Sequence, residues 1–212
     1  CELLDANAVR AVNKQSKLSL RELPMLLMEF HGSEASVKEQ AETVQALASE
    51  TGGENFEWAS TPEDRTRLWT ARHKAYFAGM QANPGCRTVT TDTCVPISRL
   101  TECIVATQDD IARASMPIPL FGHVGDGNFH LMILVLPDRA ADIEEAWDLN
   151  TRLVRRALAM GGTCTGEHGI GQGKQKYLET ELGPEAVDAM RALKAALDPH
   201  NILNPGKILP AA

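Results

Sequence analysis

Short apolar blocks and stretches of helical periodicity alternate along the first third of the chain. Residues 25–30 (MLLMEF) form an apolar block that ends near Gly32, which is typical of a buried strand. From residue 36 to 48 apolar residues recur at helical spacing, and Ser36 with Glu39 fits a capping box, so the pattern predicts a helix. A second strand is predicted at residues 55–59.

The middle and end of the chain continue this alternation. Pro62, at a first-turn position after Thr61, predicts a helix that runs to about residue 80. The remaining pattern predicts a strand at 88–95, a helix at 97–112, two strands within 117–136 joined by a turn at Asp126 and Gly127, and helices at 143–158 and 187–197.

Strands and helices are therefore interspersed, without a long series of parallel strand–helix units. This predicts an α+β fold in which helices cover one face of a mainly antiparallel sheet. The 212 residues, 43% of them hydrophobic, suffice for one well-filled core. We expect residues 1–212 to form a single domain without internal repeats.

The charge balance narrows the class of ligand. Against 28 acidic residues stand 21 Lys and Arg, which gives a formal charge of -7 and makes a nucleic-acid surface improbable. An anionic small molecule would need locally placed cations or a metal ion.

Cysteine content and hydropathy bear on the compartment. The five cysteines form an odd set without a CxxC pair, which favours a reducing compartment over a disulfide framework or a cysteine-based zinc module. No apolar run approaches the roughly 20 residues of a membrane helix, and the first residues do not resemble a signal peptide. Since the chain begins with Cys1, we expect it to be part of a longer protein.

Two glycine-rich segments carry the candidate chemistry. His123 and His130 bracket the first, GHVGDGNFH, and the second, GGTCTGEHGIG, contains Glu167 and His168. Two imidazoles and a carboxylate can bind a catalytic divalent metal and leave it an open position, so we predict His123, His130 and Glu167 as ligands. The alternative is that each histidine is an ordinary turn or core residue.

Further residues are assigned around this predicted metal. His168 is predicted to be the general base for a substrate hydroxyl, with a structural fourth ligand as the alternative. Arg72 shares a helix face with Tyr76, and both are candidate substrate-binding residues; Arg72 would pair with a substrate carboxylate or, as an alternative, with an acidic residue of the fold. Met132 would lie beside His130 on the strand, as a substrate contact or simply as a core residue.

The sequence lacks complete motifs for nucleotide binding, for zinc proteases and for serine hydrolases. Residues 169–174 (GIGQGK) have neither dinucleotide-binding spacing nor the Ser or Thr of a phosphate loop, and the HExxH and GxSxG motifs are absent. Nucleotide binding by this chain alone is therefore not predicted. Lys174 and Lys176 are interpreted as solvated.

Five segments together resemble the C-terminal domain of FAD-linked oxidases, within the VAO-type flavoproteins. They are GHVGDGNFH, GGTCTGEHGIGQGK, ARHKAY at 71–76, TDTCVPISRL at 91–100 and NILNPGKIL at 201–209. The resemblance covers nearly the whole chain and is closest to D-lactate dehydrogenases of the cytochrome-linked type.

This resemblance implies a ferredoxin-like cap domain with additional C-terminal helices, and an N-terminal FAD-binding domain that is absent from this chain. It matches His123, His130 and Glu167 to the ligands of a zinc or manganese ion, and His168 to the catalytic base. It also matches Arg72 to a carboxylate-binding arginine and Asn204 to a residue on the flavin side.

The reaction implied is oxidation of a D-2-hydroxy acid, foremost D-lactate to pyruvate, with electrons leaving to cytochrome c or a quinone-like acceptor. Thr90 and Met132 suit a second substrate carboxylate poorly, which favours lactate; glycolate and longer 2-hydroxy acids stay open. The expected location is cytoplasmic, peripheral to the inner membrane, or mitochondrial in a eukaryote.

Two other classes stay as alternatives: a metal-dependent hydrolase that uses the same His-His-Glu set, and a non-catalytic metal-binding module. The hydrolase would turn over without flavin, whereas the module would offer no open metal position. By itself the chain is expected to be inactive as a dehydrogenase, and its exposed apolar face is expected to favour self-association.

Overall fold

A computed structural model describes residues 1–59 and 61–209 of the chain. The strands are β1 (Glu2–Leu4), β2 (Met25–Leu27), β3 (Arg87–Thr90), β4 (Thr93–Cys94), β5 (Leu120–Gly122) and β6 (Asn128–Val135). The helices are α1 (Ala6–Ser16), α2 (Glu34–Glu50), α3 (Pro62–His73), α4 (Ala75–Ala82), α5 (Ile97–Arg113), α6 (Ala140–Ala159), α7 (Gln175–Leu182) and α8 (Pro184–Leu197).

The strands form an antiparallel sheet in the order β2-β1-β5-β6-β3, with β4 also paired to β6. The centre is the β5–β6 hairpin, in which Phe121 lies opposite His130. Every residue of β6 is buried. A strand buried on both sides requires a cover on each face of the sheet.

Two helical layers supply those covers. On one face α5 and α6 enclose Phe129, Leu131 and Ile133 of β6. On the other face α1 and the α3–α4 region pack against Met132 and Leu134. The predicted α+β class, its antiparallel sheet and the C-terminal helices are confirmed. The helices, however, lie on both faces of the sheet and not on one, because alternate side chains of β6 are apolar in both directions.

Several element predictions need correction in the first half of the chain. The strand predicted at 25–30 ends at Leu27, and it is half-exposed because it lies at the edge of the sheet, paired with β1 on one side. No strand forms at 55–59. Helix α2 is capped by Ser33, whose hydroxyl accepts from Ser36 N, and not by Ser36.

Two long predicted elements are each divided. The helix predicted from Thr61 begins there as expected, with Pro62 in its first turn, but is interrupted at Lys74 between α3 and α4. The strand predicted at 88–95 is split into β3 and β4 around Thr91 and Asp92. This second interruption forms part of the candidate site.

Candidate metal and substrate site

The β5–β6 hairpin brings the first two predicted ligands together. His123 begins the turn and its carbonyl accepts from Asp126 N at 3.0 Å and Asn128 N at 3.2 Å. Gly127 has φ of +82°, and a Cβ there would collide with the carbonyl oxygen of Val95. The turn predicted at Asp126 and Gly127 therefore forms, and it requires glycine at its second position.

Both hairpin imidazoles are oriented through Nδ1. His130 is buried, with Nδ1 3.0 Å from the carbonyl oxygen of Thr91. His123 Nδ1 lies 2.7 Å from Glu2 Oε1. Carbonyl and carboxylate oxygens only accept, so Nδ1 is the nitrogen that donates at both rings when Nε2 binds a cation.

Glu167 is the point on which the imidazoles converge. Its Oε1 lies 2.9 Å from His130 Nε2, 3.6 Å from His123 Nε2 and 3.7 Å from His168 Nε2. The His168 ring stacks on that of His130, with centroids 5.0 Å apart and planes inclined by 10°. We refer to His123, His130, Glu167 and His168 as the histidine–carboxylate cluster.

The donor set of this cluster fits a divalent transition-metal ion. Two Nε2 lone pairs and a carboxylate oxygen form a three-ligand set, and hydrogen bonds at both Nδ1 atoms are the usual outer support for such ligands. Burial outweighs the hydrogen bond to Thr91 and lowers the pKa of His130, which favours the neutral, metal-binding form of the ring. The other three side chains are 40–48% exposed, so the cluster is open on one side.

Asp92 holds the second glycine-rich segment in place. Its carboxylate is fully buried and accepts from Lys174 Nζ at 2.9 Å, from Thr165 Oγ1 at 2.9 Å and from Asn128 Nδ2 at 2.9 Å. It also accepts from the backbone N–H groups of Glu167 at 3.2 Å and His168 at 2.9 Å.

Burial alone raises the pKa of Asp92, but the hydrogen bonds from Lys174, His168 N and Asn128 outweigh it and hold the pKa well below the usual range. Asp92, His130, Glu167 and His168 also offer ligand atoms within 4.8 Å of one another. We interpret Asp92 as an anchor and not as a ligand, because its oxygens are already occupied by these donors.

Asp92 was not among the predicted site residues. Its one available signal was an acidic residue inside the β-branched run that was predicted as a continuous strand. Lys174 was predicted to be solvated, and this was wrong. Its side chain is 18% exposed, and its ammonium lies 2.9 Å from Asp92 Oδ2. Lys176 is exposed as predicted, with its ammonium 4.9 Å from the centre of the Tyr177 ring.

Arg72 lies in the last turn of α3 and is buried. Its Nη2 lies 2.6 Å, and its Nε 3.0 Å, from Glu2 Oε2, and its guanidinium is 5.5 Å from the centre of the Phe121 ring. A substrate carboxylate and an acidic residue of the fold were predicted as alternative partners of Arg72. In this structure its partner is the acidic residue Glu2. The same Glu2 contacts His123, so Arg72 is one side chain away from the histidine–carboxylate cluster.

The remaining predicted site residues lie outside the cluster. Tyr76 is half-buried against the core layer between the sheet and helices α1, α3 and α4. Met132 is fully buried in that layer, with its sulfur against Gly79, which corresponds to the core alternative. Asn204 is exposed in the segment after α8, where its carbonyl accepts from Lys207 N at 3.3 Å. Its predicted place on the flavin side stays a prediction.

Comparison with known proteins adds a family to this geometry. Residues 1–208 match the family model described as FAD linked oxidases, C-terminal domain. The chain is 48% identical over 208 residues to a probable mitochondrial D-lactate dehydrogenase of Danio rerio, covering 98% of this chain and 42% of the relative. It is 44% identical over 209 residues to the mitochondrial D-lactate dehydrogenase [cytochrome] of Arabidopsis thaliana, covering 99% and 37%.

A glycolate oxidase subunit, GlcD of Bacillus subtilis, is 34% identical over 209 residues, covering 98% of this chain and 44% of the relative. The chain thus spans about two fifths of the length of these relatives. The fold is similar to that of 4-ethylphenol oxidase from Gulosibacter chungangensis in complex with isoeugenol, with a TM-score of 0.65 at 15% identity, covering 99% of this chain and 47% of that one. In the described part of the chain, no helix has the length and hydrophobicity needed to cross a bilayer.

Proposed function

The chain belongs to the family of FAD-linked oxidase C-terminal domains, and we propose that it is the substrate- and metal-binding domain of an FAD-dependent D-2-hydroxy-acid dehydrogenase. The reaction proposed is oxidation of D-lactate to pyruvate. The observation that carries this proposal is the convergence of three Nε2 atoms within 3.7 Å of Glu167 Oε1. A preceding domain, outside this chain, would hold the flavin.

His123, His130 and Glu167 would hold a zinc or manganese ion. The metal would supply a Lewis acid for the carboxylate and hydroxyl oxygens of the substrate, and the flavin a hydride acceptor. The open side of the cluster leaves room for a substrate, which supports a catalytic site over a closed structural one.

His168 is proposed to take the proton of the substrate hydroxyl at Nε2. Its ring stacks on His130 while its backbone N–H is bound to Asp92, so the imidazole is oriented but remains 47% exposed. Arg72 is proposed to attract the substrate carboxylate, because its guanidinium lies one side chain from His123. Tyr76 and Asn204 stay candidate contacts for substrate and flavin.

The preference for D-lactate is supported by the names of the two relatives that are 48% and 44% identical. Met132 does not support this preference, because its side chain is buried in the core. The glycolate oxidase subunit at 34% identity keeps glycolate as a second candidate substrate. The measurement that separates them is kcat/KM for D-lactate, glycolate and D-2-hydroxyglutarate on the flavin-containing protein.

The relatives also support an acceptor and a compartment. The Arabidopsis relative carries the words cytochrome and mitochondrial in its name. We therefore propose cytochrome c as the electron acceptor, with a quinone as the alternative. The proposed location is mitochondrial in a eukaryote, and cytoplasmic at the inner membrane in a bacterium.

The experiment that tests the metal site is elemental analysis of the purified chain, with His123→Ala as the test variant and His31→Ala as the control. His31 is 80% exposed at its side chain and far from Glu167 in sequence. We expect close to one equivalent of zinc or manganese in the wild type and the control, and loss of the metal in His123→Ala. Equal metal content in all three proteins would contradict the ligand assignment.

The second part of the experiment addresses the reaction. In the longer, flavin-containing protein, His168→Ala should lower kcat by about 10²- to 10⁴-fold, the usual contribution of a general base, while the metal content stays unchanged. Loss of the metal in that variant would favour the fourth-ligand alternative. Turnover of an ester or amide without flavin would favour the hydrolase.

A further inference from the structure

Glu2 connects two residues of the proposed site. One oxygen, Oε1, lies 2.7 Å from His123 Nδ1, and the other, Oε2, lies 2.6 Å from Arg72 Nη2 and 3.0 Å from Arg72 Nε. The Glu2 side chain is 14% exposed and that of Arg72 is 9% exposed. Hydrogen bonds in which donor or acceptor is charged are shorter and stronger than neutral ones.

The sheet register accounts for this position of Glu2. Strand β1 pairs antiparallel with β5, with Leu3 opposite Gly122 and Leu4 opposite Phe121. Continued by one step, the register brings Glu2 beside His123, just after the end of β5. Glu2 is therefore placed by the backbone ladder and not by a flexible loop.

The contact with Glu2 fixes the hydrogen of the His123 ring. A carboxylate offers only acceptor lone pairs, and Glu2 Oε1 lies 2.7 Å from Nδ1 whereas Glu167 Oε1 lies 3.6 Å from Nε2. The neutral imidazole therefore carries its hydrogen on Nδ1. Its Nε2 then offers a lone pair towards Glu167 Oε1.

We propose that Glu2 is a positioning residue of this site, which sets the Nδ1–H tautomer of His123 and at the same time orients the Arg72 guanidinium. It is not a ligand, because each of its oxygens is occupied by one of these two partners. Its action on metal binding rests on the proposed function, whereas its action on the His123 ring does not.

The tautomer is measured without any metal. In nitrogen-15 NMR spectra of the metal-free chain in mildly alkaline buffer, the two ring nitrogens of a neutral imidazole are distinguished by their chemical shifts. We expect His123 to carry its hydrogen on Nδ1 in the wild type. Glu2→Ala should give a mixture of tautomers, and so should Glu2→Gln, because an amide can accept or donate at this place. The matched control is Glu22→Gln, which removes a carboxylate from the exposed pair with Arg10.

Calorimetric titration with zinc or manganese is the second readout. Loss of an outer-shell partner usually lowers metal affinity by about 10- to 100-fold. We expect this loss in both Glu2 variants, no loss in Glu22→Gln, and abolished binding in His123→Ala. Glu2→Gln keeps the shape of the side chain, so it remains informative if Glu2→Ala does not fold.

The outcomes separate the two proposals. A wild type that has the Nδ1–H tautomer of His123 but binds neither metal would overturn the proposed metal site and support the action of Glu2 on the ring. A wild type with the hydrogen on Nε2 would overturn the inference about Glu2. The inference is also overturned if both Glu2 variants keep the wild-type tautomer and the wild-type metal affinity.

Discussion

The histidine–carboxylate cluster is assembled from two segments that are held in different ways. His123 and His130 belong to a hairpin whose strands pair with each other and with β1 and β3. Glu167 and His168 belong to an irregular segment between α6 and α7. That segment is tied by backbone to Cys94 at Thr163, and Cys164 N donates to the carboxylate of Glu181. From Thr165 to His168 the segment is held mainly by the carboxylate of Asp92.

The histidine–carboxylate cluster is therefore more easily disturbed on the side of Glu167 and His168. The hairpin is held by many backbone hydrogen bonds, so we expect one surface substitution there to have little effect on the positions of His123 and His130. On the other side one buried carboxylate receives the N–H groups of both Glu167 and His168, and changes to its surroundings should displace these two residues first.

Removal of the anchor should give the largest effect. Asp92→Ala leaves Lys174 without its buried partner and removes the acceptor of Glu167 N and His168 N, so we expect a loss of about 3–5 kcal/mol in the free energy of unfolding. Denaturant unfolding measures this loss, and Asp109→Ala, at an exposed helical position, is the control. A loss below 1 kcal/mol would mean that the segment is held without Asp92.

A methyl group added at Gly166, beside Asp92, should have the next largest effect on stability. A Cβ at Gly166 would collide with the side-chain amide of Asn128 and lie 3.0 Å from Asp92 Oδ1. We expect Gly166→Ala to cost about 1–3 kcal/mol and to lower the affinity for zinc. Gly173→Ala is the matched control, because nothing lies within 4 Å of a Cβ there. Equal melting curves of the two variants would refute the tight contact at Gly166.

Comparison of Lys174 with Lys176, at the start of α7, measures how much the ion pair with Asp92 contributes to stability. Lys174 Nζ donates to Asp92 Oδ2 at 2.9 Å, and hydrogen bonds to charged groups contribute about 1.5–3 kcal/mol. We expect Lys174→Met to lose about that amount, and Lys176→Met to stay within about 0.5 kcal/mol because its side chain is exposed. Thermal unfolding of both variants in parallel measures the difference, and equal melting temperatures would contradict it.

The acid range should reveal the smallest effect. The pKa of Asp92 is held below its usual value, so the unfolded chain binds a proton before the folded chain does. The contribution of Asp92 is therefore complete above about pH 4 and is lost as the pH falls further. In Asp92→Asn, we expect the fall in stability with acid to be shallower by up to about 1.4 kcal/mol per pH unit. Identical slopes from pH-dependent denaturation would contradict this assignment.

Much of the fold was predictable because its signals are local. The helix at 97–112, the long helix α6 and the β5–β6 hairpin with its glycine turn follow from periodicity and turn chemistry over fewer than 21 residues each. Predictions failed where pairing between distant strands decided the outcome. Strand β2 is a half-exposed edge because it pairs at one end of the sheet. The division of the helices between both faces follows instead from the apolar run 131–135 of β6, a local signal that the prediction did not use.

The site divides in the same way. The members of the histidine–carboxylate cluster were predictable from local pattern, since one glycine-rich segment contains two imidazoles and the other contains a carboxylate and an imidazole. The residues that orient these side chains come from distant parts of the chain and are seen in the folded protein. Asp92 acts on Glu167 across 75 positions, and Glu2 acts on His123 across 121. A buried carboxylate finds its partners through sheet register and layer packing, and these are properties of the whole fold that no local pattern specifies.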